Sequence, residues 1–139
     1  MDKKIIKIVI ADDHSLMREI LSSLLLKNKN FSVIGEANNG KELMKILKTI
    51  SPDVVLLDVE MPLMNGEKAL ELITKRFPKI SVIMISLHSE PSLSKYFIEK
   101  GAKAFVSKGC DSKFFIKTIE KVSKQFSKLA IKKRSNSKS

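Results

Sequence analysis

Short apolar runs alternate along the chain with stretches in which apolar residues recur at helical spacing. Continuous apolar runs of strand length are typical of strands that are buried on both faces of a sheet. The runs are Ile5–Ala11, Phe31–Gly35, Val54–Leu57, Ile80–Ile85 and Ala104–Val106. This alternation predicts an α/β domain with an open parallel sheet, helices on both faces and right-handed crossovers.

Apolar residues spaced three and four positions apart predict one helix after each strand. The residues that mark these helices are, in order, Leu16, Met17, Ile20, Leu21, Leu24 and Leu25; Leu43, Ile46, Leu47 and Ile50; Leu70, Ile73 and Phe77; Leu93, Tyr96 and Phe97; Phe115, Ile119, Val122, Phe126 and Leu129. Pro52 and Pro78 follow the second and third helices, where proline disfavours a helical conformation in the preceding residue.

Polar and charged side chains lie at the ends of four of the predicted strands. Asp12 and Asp13 follow the first strand, Asp58 the third, Ser86 the fourth and Lys108 the fifth. Ligands of open α/β sheets bind beyond the carboxyl ends of the strands, where these side chains meet. Three carboxylates, a hydroxyl and an ammonium group are the components of a phosphoryl-transfer site built around Mg²⁺.

Each of these side chains also has an ordinary structural interpretation. Asp13 lies just before the first helix, where an aspartate often caps the helix N-terminus. Ser86 fits a turn, and a lysine at a strand end is usually solvated. As a functional set, Asp58 would be a carboxylate nucleophile toward phosphorus. Lys108 would then supply a positive charge, and Ser86 a hydrogen bond, to the phosphoryl oxygens.

The composition fits a single domain and sets limits on its partners. The chain has 139 residues, 43% of them hydrophobic, and one cysteine, Cys110, which excludes an internal disulfide and a cysteine-based zinc cluster. No apolar stretch approaches the roughly 20 residues that span a bilayer. The first apolar run ends in two aspartates, which is unlike a signal peptide, so we expect a cytoplasmic protein without a membrane partner.

The net charge of +11 is concentrated at the C-terminal end of the chain. Residues 112–139 contain nine Lys or Arg and one acidic residue, which leaves +3 for the other 111 residues. Five lysines form a stripe opposite the apolar side of the last helix: Lys113, Lys117, Lys121, Lys124 and Lys128. The stripe fits a solvated helix face, an acidic partner surface or, by charge alone, nucleic acid.

Four segments resemble those of the response-regulator receiver domain, the phospho-acceptor half of bacterial two-component signalling. They are IVIADDHSLMRE, VVLLDVEMPLMNG, IMISLH and GAKAFVSKG, and the resemblance covers roughly residues 4–127. It implies a flavodoxin-like, doubly wound, five-stranded parallel sheet of order 2-1-3-4-5 with five helices, the order of a chemotaxis regulator in this family. That order would place the aspartates together where the strand order reverses.

The resemblance also implies a role for each residue of the reacting group. Asp58 would be the phosphorylation site, and Lys108 would pair with the phosphoryl group. Ser86 would be the switch hydroxyl and Phe105 the switch aromatic. Glu60 and His88, two residues beyond Asp58 and Ser86, occupy positions that tune dephosphorylation in the family.

The same resemblance implies a metal site. Its ligands would be the carboxylates of Asp13 and Asp58 and the main-chain carbonyl of Glu60, with Asp12 nearby and partly acting through water. The ion would be Mg²⁺, with Mn²⁺ as a possible substitute. His14, one of two histidines, is expected to be exposed in the first turn of the first helix.

One departure from the family pattern bears on the output of the domain. Many receivers have proline after the lysine, whereas Gly109 follows Lys108 here. Together with ADDHSLMRE, this resembles the receivers of LuxR/NarL-type transcriptional regulators, which carry a helix-turn-helix domain. Residues 1–128 would be the receiver, and 129–139 a basic disordered tail or the start of a linker. The chain is therefore interpreted as a regulator fragment or as a stand-alone receiver acting by protein contact.

The resulting hypothesis is a signalling domain rather than a turnover enzyme. A sensor histidine kinase or phosphotransfer protein would phosphorylate Asp58. The face formed by the fourth helix, fifth strand and fifth helix would then change shape. This face is also the candidate surface for a homodimer. DNA would be contacted only by an effector domain that this chain lacks.

A phosphatase of the haloacid dehalogenase type also places a second acid two residues after its nucleophile, as in Asp58-Val59-Glu60. That class normally has Asp there and a cap domain, and it leaves Asp12-Asp13 unexplained.

Overall fold

The computed structural model describes residues 4–123, in which strands and helices alternate from end to end. The last helix, α5, begins at residue 112 and is helical through 123. The other elements are β1 Ile6–Ala11, α1 Ser15–Leu26, β2 Phe31–Ala37, α2 Gly40–Leu47, β3 Val54–Asp58, α3 Gly66–Arg76, β4 Ser81–Ser86, α4 Pro91–Glu99 and β5 Ala104–Ser107.

All neighbouring strands are parallel, and the sheet order is β2-β1-β3-β4-β5. The predicted doubly wound sheet with its 2-1-3-4-5 order and five helices is therefore confirmed. Strand β2 lies on one side of β1, and β3, β4 and β5 lie on the other side. The order of the strands therefore reverses at β1. The carboxyl ends of β1 and β3 meet at the point where the order reverses.

Helices cover both faces of the sheet, which explains why the strands are apolar at consecutive positions. On β1, Ile8 and Ile10 belong to the core shared with α1 and α5, whereas Val9 and Ala11 belong to the core shared with α2, α3 and α4. All four side chains are fully buried. Because helices cover both faces, a central strand buries its side chains whichever face they point to.

Several element bounds differ from those expected from the sequence. Strand β2 continues for two residues beyond Gly35, because Ala37 still pairs with Ala11 of β1. Helix α2 ends at Leu47, so Ile50 lies outside it, although the Ile50 N–H still donates to the Ile46 carbonyl at 3.1 Å. The apolar period extended past the regular helix because this following turn also packs on the core.

The apolar stripe of α1 is wider than the face that the helix buries. Leu21 and Leu25 are its buried residues, whereas Leu16 and Ile20 are 67% and 53% exposed. Within residues 4–123, no helix is both long and apolar enough to cross a membrane. Phe126, Leu129, Lys124, Lys128 and the expected boundary after residue 128 lie outside the part of the chain that the structure describes.

Candidate functional site

Strands β1, β3, β4 and β5 end at one edge of the sheet and bring four polar side chains together there. Their register pairs Ala11 with Leu57, Asp58 with Ile85 and Ser86 with Ser107. Asp12 and Asp58 are 0% and 2% exposed, and Ser86 is also buried. Burying carboxylates is costly unless they are paired, so this edge requires compensating charge.

Lys108 supplies that charge to both buried carboxylates. Its Nζ lies 3.0 Å from Asp12 Oδ2 and 3.2 Å from Asp58 Oδ2, and its side chain is only 4% exposed. The Lys108 main-chain N–H donates to the Ser86 carbonyl at 2.7 Å, which fixes the end of β5 beside β4. Burial lowers the pKa of the ammonium, but the two carboxylates outweigh burial and raise the pKa above its ordinary value. Lys108 therefore remains a cation.

The two carboxylates are held differently and their pKa values diverge. Burial raises the pKa of Asp12, but the His14 N–H, which donates to its Oδ1 at 2.9 Å, and Lys108 together bring it below the ordinary value. Burial, followed by the Asp12 charge, raises the pKa of Asp58 to about 6. The Glu60 N–H donates to Asp58 Oδ1 at 3.3 Å and compensates only in part. Asp58 is therefore the carboxylate whose charge is less well stabilised.

Donor atoms suited to a cation converge in front of these carboxylates. Ligand atoms of Asp12, Asp13, His14 and Asp58 all lie within 4.8 Å of one another. Asp12 Oδ2 and Asp58 Oδ2 are buried, and each has Lys108 Nζ as its neighbouring charged group. Crowded carboxylate oxygens of this kind fit a hard divalent cation, which would relieve their repulsion.

The alternative role of Asp13 as a helix cap finds no support in the geometry. The N-cap residue of α1 is His14, and its side chain accepts no capping hydrogen bond from residues 4–123. His14 is 63% exposed, as expected from the sequence, but its Nδ1 lies 3.2 Å from both Asp12 Oδ1 and Asp13 Oδ1. Sequence reasoning missed these contacts, although the position of His14 directly after the acidic pair was a signal for them.

A small cavity opens beside Asp58. Its volume is about 20 Å³, and its lining includes Asp58, Glu60, Ser86, His88 and Lys108. Ser86 Oγ accepts the His88 N–H at 3.0 Å, and His88 Nε2 lies 3.9 Å from Glu60 Oε1. This volume accommodates about one water molecule. A larger group on Asp58 would therefore extend toward Glu60 and His88 at the surface.

Phe105, the residue predicted as the switch aromatic, lies on β5 and is half-buried. Its ring stacks on that of Phe97, with centroids 5.9 Å apart and planes at 13°. Phe97 is the buried residue of α4. The contact connects the edge strand to α4, so a change in the Phe105 rotamer would alter the packing of that helix.

The N-terminus of α3 approaches the end of β3 closely. The Gly66 N–H donates to the Val59 carbonyl at 2.9 Å, and a Cβ at Gly66 would lie 2.1 Å from the Asp58 carbonyl oxygen. Asn65 caps the helix by accepting the Lys68 N–H at 2.9 Å. The turn between β3 and α3 therefore fixes the main chain of Asp58.

Comparison with known proteins gives a consistent family assignment. The sequence profile of the response regulator receiver domain matches residues 8–120. The chain is 35% identical over 114 residues to the transcriptional regulatory protein LnrK of Bacillus subtilis, and the match covers 82% of this chain and 52% of LnrK. The chain spans about half the length of the transcriptional regulators LnrK and DegU that it matches.

Solved structures show the same fold. The signal receiver domain of the response regulator NarL from Mycobacterium tuberculosis has a TM-score of 0.81 and 30% identity, covering 87% of this chain and 98% of NarL's. A chain of the CheX–CheY–BeF₃–Mg²⁺ complex from Borrelia burgdorferi has a TM-score of 0.79 and 29% identity, covering 84% of this chain and 88% of that one. The first of these similarities agrees with the LuxR/NarL resemblance read from the sequence.

Proposed function

The chain belongs to the response regulator receiver domain family, and we propose that Asp58 accepts a phosphoryl group from a histidine kinase or phosphotransfer protein in a Mg²⁺-dependent reaction. This proposal rests on the position of Lys108 Nζ, which lies within 3.2 Å of both buried carboxylates at the sheet edge. A buried ammonium next to a buried carboxylate of raised pKa is an arrangement suited to chemistry rather than to stability.

The transfer step follows from the positions of Asp58 and Lys108. An Asp58 carboxylate oxygen attacks the phosphorus atom of a phosphohistidine and forms an acyl P–O bond. The P–N bond breaks, and its electron pair returns to the imidazole of the donor. Lys108 stabilises the charge of the transferred group, and Ser86 donates a hydrogen bond to one of its oxygens. The attacking group must be ionised, and at pH 7 an Asp58 carboxyl with a pKa of about 6 is mostly in that form.

A divalent cation would be held at the acidic edge of the site. Its ligands would come from the Asp12, Asp13 and Asp58 carboxylates and the Glu60 main-chain carbonyl, and Mn²⁺ would substitute for Mg²⁺. When bound, the ion supplies the remaining neutralisation of the phosphoryl oxygens. The convergence of ligand atoms of Asp12, Asp13 and Asp58 within 4.8 Å supports this assignment, as does the Mg²⁺ named in the related CheX–CheY complex.

Phosphorylation would be read out through Ser86 and Phe105. The phosphoryl group draws the Ser86 hydroxyl toward it, Phe105 turns inward, and the surface formed by α4, β5 and α5 changes shape. The stacking of Phe105 on Phe97 provides a path to α4. Glu60 and His88, which flank the cavity beside Asp58, would govern the access of water that hydrolyses the acyl phosphate.

The output would be transcriptional regulation through an effector domain outside residues 1–128, with the switched surface available for homodimer formation. The transcriptional regulators among the relatives support this direction. A stand-alone receiver that acts by contact with a partner protein is the second candidate, and the similar chain of the CheX–CheY complex, covered over 88% of its length, favours it.

The central test is to incubate the protein with Mg²⁺ and a small phosphodonor such as acetyl phosphate and to measure its intact mass. Wild type should gain one phosphate that is released by base but not by acid, and Asp58→Asn should gain none. Asp53→Asn is the matched control, because Asp53 lies at the other end of β3 and accepts the Lys7 N–H. Phosphate gain by Asp58→Asn, or continuous hydrolysis of diverse phosphate esters by wild type, would contradict the proposal.

A further inference from the structure

The imidazole of His14 lies beside two carboxylates, and its Nδ1 is within hydrogen-bond distance of Asp12 Oδ1. Its side chain does not cap α1 through any hydrogen bond within residues 4–123. Its main-chain N–H donates to Asp12 Oδ1 at 2.9 Å, which holds the residue at the edge of the acidic group. The ring itself is 63% exposed, so an incoming ion would reach it from solvent.

The distances around His14 match those between the ligands of a metal ion. Its Nδ1 lies 3.2 Å from Asp12 Oδ1 and 3.2 Å from Asp13 Oδ1. Adjacent ligands of an octahedral ion with bonds of about 2.1 Å lie about 3.0 Å apart. The arrangement therefore needs little rearrangement to bind one ion through nitrogen and oxygen together.

A second observation is that several carboxylates are crowded around one ammonium group. The Oδ2 atoms of Asp12 and Asp58 are both buried and both lie next to Lys108 Nζ, at 3.0 Å and 3.2 Å. The single charge of Lys108 is shared between these two buried carboxylates, and Asp13 follows Asp12 directly in the chain. A divalent cation bound among these carboxylates would lie beside the His14 imidazole, because ligand atoms of all four residues are within 4.8 Å of one another.

We propose that His14 is a direct ligand of the divalent-cation site and makes this site favour first-row transition-metal ions such as Mn²⁺ and Zn²⁺ over Mg²⁺. The inference rests on the metal site of the proposed function and deepens it. Mg²⁺ prefers oxygen donors and gains little from an imidazole. Affinity for nitrogen-containing sites rises from Mn²⁺ through Ni²⁺ to Cu²⁺, and Zn²⁺ also binds imidazole well.

The other histidine provides a matched control. His88 also lines the cavity beside Asp58, and its side chain is 58% exposed. Its Nε2 lies 3.9 Å from Glu60 Oε1, and it is not part of the converging ligand group. His14→Ala and His88→Ala therefore remove the same ring from two sides of one site, and only the first should alter metal preference.

The first measurement is calorimetric titration of the untagged chain with Mg²⁺, Mn²⁺ or Zn²⁺ alone. His14→Ala should weaken Zn²⁺ binding by at least about tenfold, weaken Mn²⁺ binding less, and leave Mg²⁺ binding within about twofold. His88→Ala should match wild type for all three ions. Thermal melting without metal checks that both variants are folded.

The second measurement identifies the ligand directly. With one equivalent of Cu²⁺, the electron paramagnetic resonance spectrum of wild type and of His88→Ala should show nitrogen hyperfine coupling, and that of His14→Ala should lose it. Coupling that persists in His14→Ala overturns the proposal, and so does an equal loss of Mg²⁺ and Zn²⁺ affinity in that variant.

Acetyl phosphate labelling in Mg²⁺ separates this inference from the proposed function. If wild type and His14→Ala are both labelled on Asp58 but wild type shows no nitrogen coupling, His14 is not a ligand and the proposed function stands. If wild type binds none of the ions and takes up no phosphate, the proposed function fails as well.

Discussion

Helices α1 and α2 lie on opposite faces of the sheet and differ in what holds them. Helix α2 has eight residues, and its N-cap Asn39 accepts the Glu42 N–H at 2.8 Å. Four of its residues are buried: Gly40, Leu43, Met44 and Leu47. Helix α1 is half as long again, yet it buries only Leu21 and Leu25 of its 12 residues and starts at a residue whose side chain caps nothing within 4–123.

The difference shows that the start of α2 mainly stabilises the fold, whereas the start of α1 mainly positions the charged groups of the site. The first turn of α2 is used to cap the helix and to pack against the core. The first turn of α1 is attached to the acidic edge, where Asp12 accepts the His14 N–H and Arg18 donates to the Asp12 carbonyl. Residues that position charged groups contribute less to stability than residues that fill a core. We therefore expect mutations in the first turn of α2 to lower stability and mutations in the first turn of α1 to change the chemistry of the site.

The largest expected effect contrasts a buried residue of α2 with an exposed residue of α1. Leu43→Ala should lower the free energy of unfolding by about 3 kcal/mol, because it leaves a cavity in a core where Leu43 is fully buried. Ile20→Ala, at a residue that is half exposed, should change it by less than about 0.5 kcal/mol. Urea denaturation at pH 7 measures both values, and similar losses would mean that α1 is as important to the core as α2.

The next effect tests whether the acidic edge reduces stability in the absence of metal. In EDTA at pH 7, Asp58→Asn should be more stable than wild type by about 1–3 kcal/mol, because a carboxyl with a pKa raised from 3.8 to about 6 is ionised at a cost in the folded state. Thermal or urea unfolding of both proteins between pH 4 and pH 7.5 provides the measurement.

The sign of the pH dependence follows from linkage. The folded state binds the Asp58 proton more tightly than the unfolded state, so this contribution to stability is fully present below about pH 4 and is lost as the pH rises through about 6. The advantage of Asp58→Asn should therefore shrink toward zero at low pH. An advantage that does not depend on pH would assign the effect to packing. Asp53→Asn, at the other end of β3, is the control.

The smallest effect compares the two helix N-termini. Asn39→Ala removes the side-chain oxygen that accepts the Glu42 N–H and should cost about 1 kcal/mol. His14→Ala in EDTA should cost less than about 0.5 kcal/mol, since no capping bond from residues 4–123 is lost. Urea denaturation of the two variants decides between them. A loss at His14 equal to that at Asn39 would show that the imidazole stabilises α1 without any metal.

Much of the fold could be predicted because its main signal is local. Buried parallel strands read as continuous apolar runs, and all five were located to within two residues. The boundaries that were missed depend on pairing that no local pattern contains. Ala37 extends β2 because Ala11 lies beside it, although Gly35 and Glu36 interrupt the apolar run.

The covered side of an apolar helix was less predictable for the same reason. Leu16 and Ile20 follow the helical period as faithfully as Leu21 and Leu25, but only the latter two are buried. Periodicity identifies the side chains that a helix can bury, and the neighbouring elements decide which of them are covered. The exposed pair remains as an apolar strip beside the α5 N-terminus, where Leu16, Ile20 and Phe115 line one groove.

For the site, the sequence placed the polar side chains on the correct edge but could not give their charge balance. Asp12 and Asp58 looked equivalent at the ends of two strands, yet their pKa values shift in opposite directions. Burial raises both pKa values, and the Asp12 charge raises that of Asp58 further, whereas for Asp12 the His14 N–H at 2.9 Å and Lys108 outweigh burial; the Glu60 N–H reaches Asp58 only at 3.3 Å. Differences of a few tenths of an ångström between main-chain donors are invisible in a motif.

Gly66 makes Asp58, the proposed phosphorylation site, sensitive to a position that carries no reactive group. Any side chain there would overlap the Asp58 carbonyl oxygen and the Val59 Cα, so the main chain of β3 or the start of α3 would have to move. The main chain of Asp58 thus keeps its present position only because residue 66 has no Cβ. In a library that randomises residue 66, variants should remain folded through the rest of the core but lose phosphate uptake in proportion to side-chain size. Such variants would fail to take up phosphate although every charged and polar side chain of the site is still present.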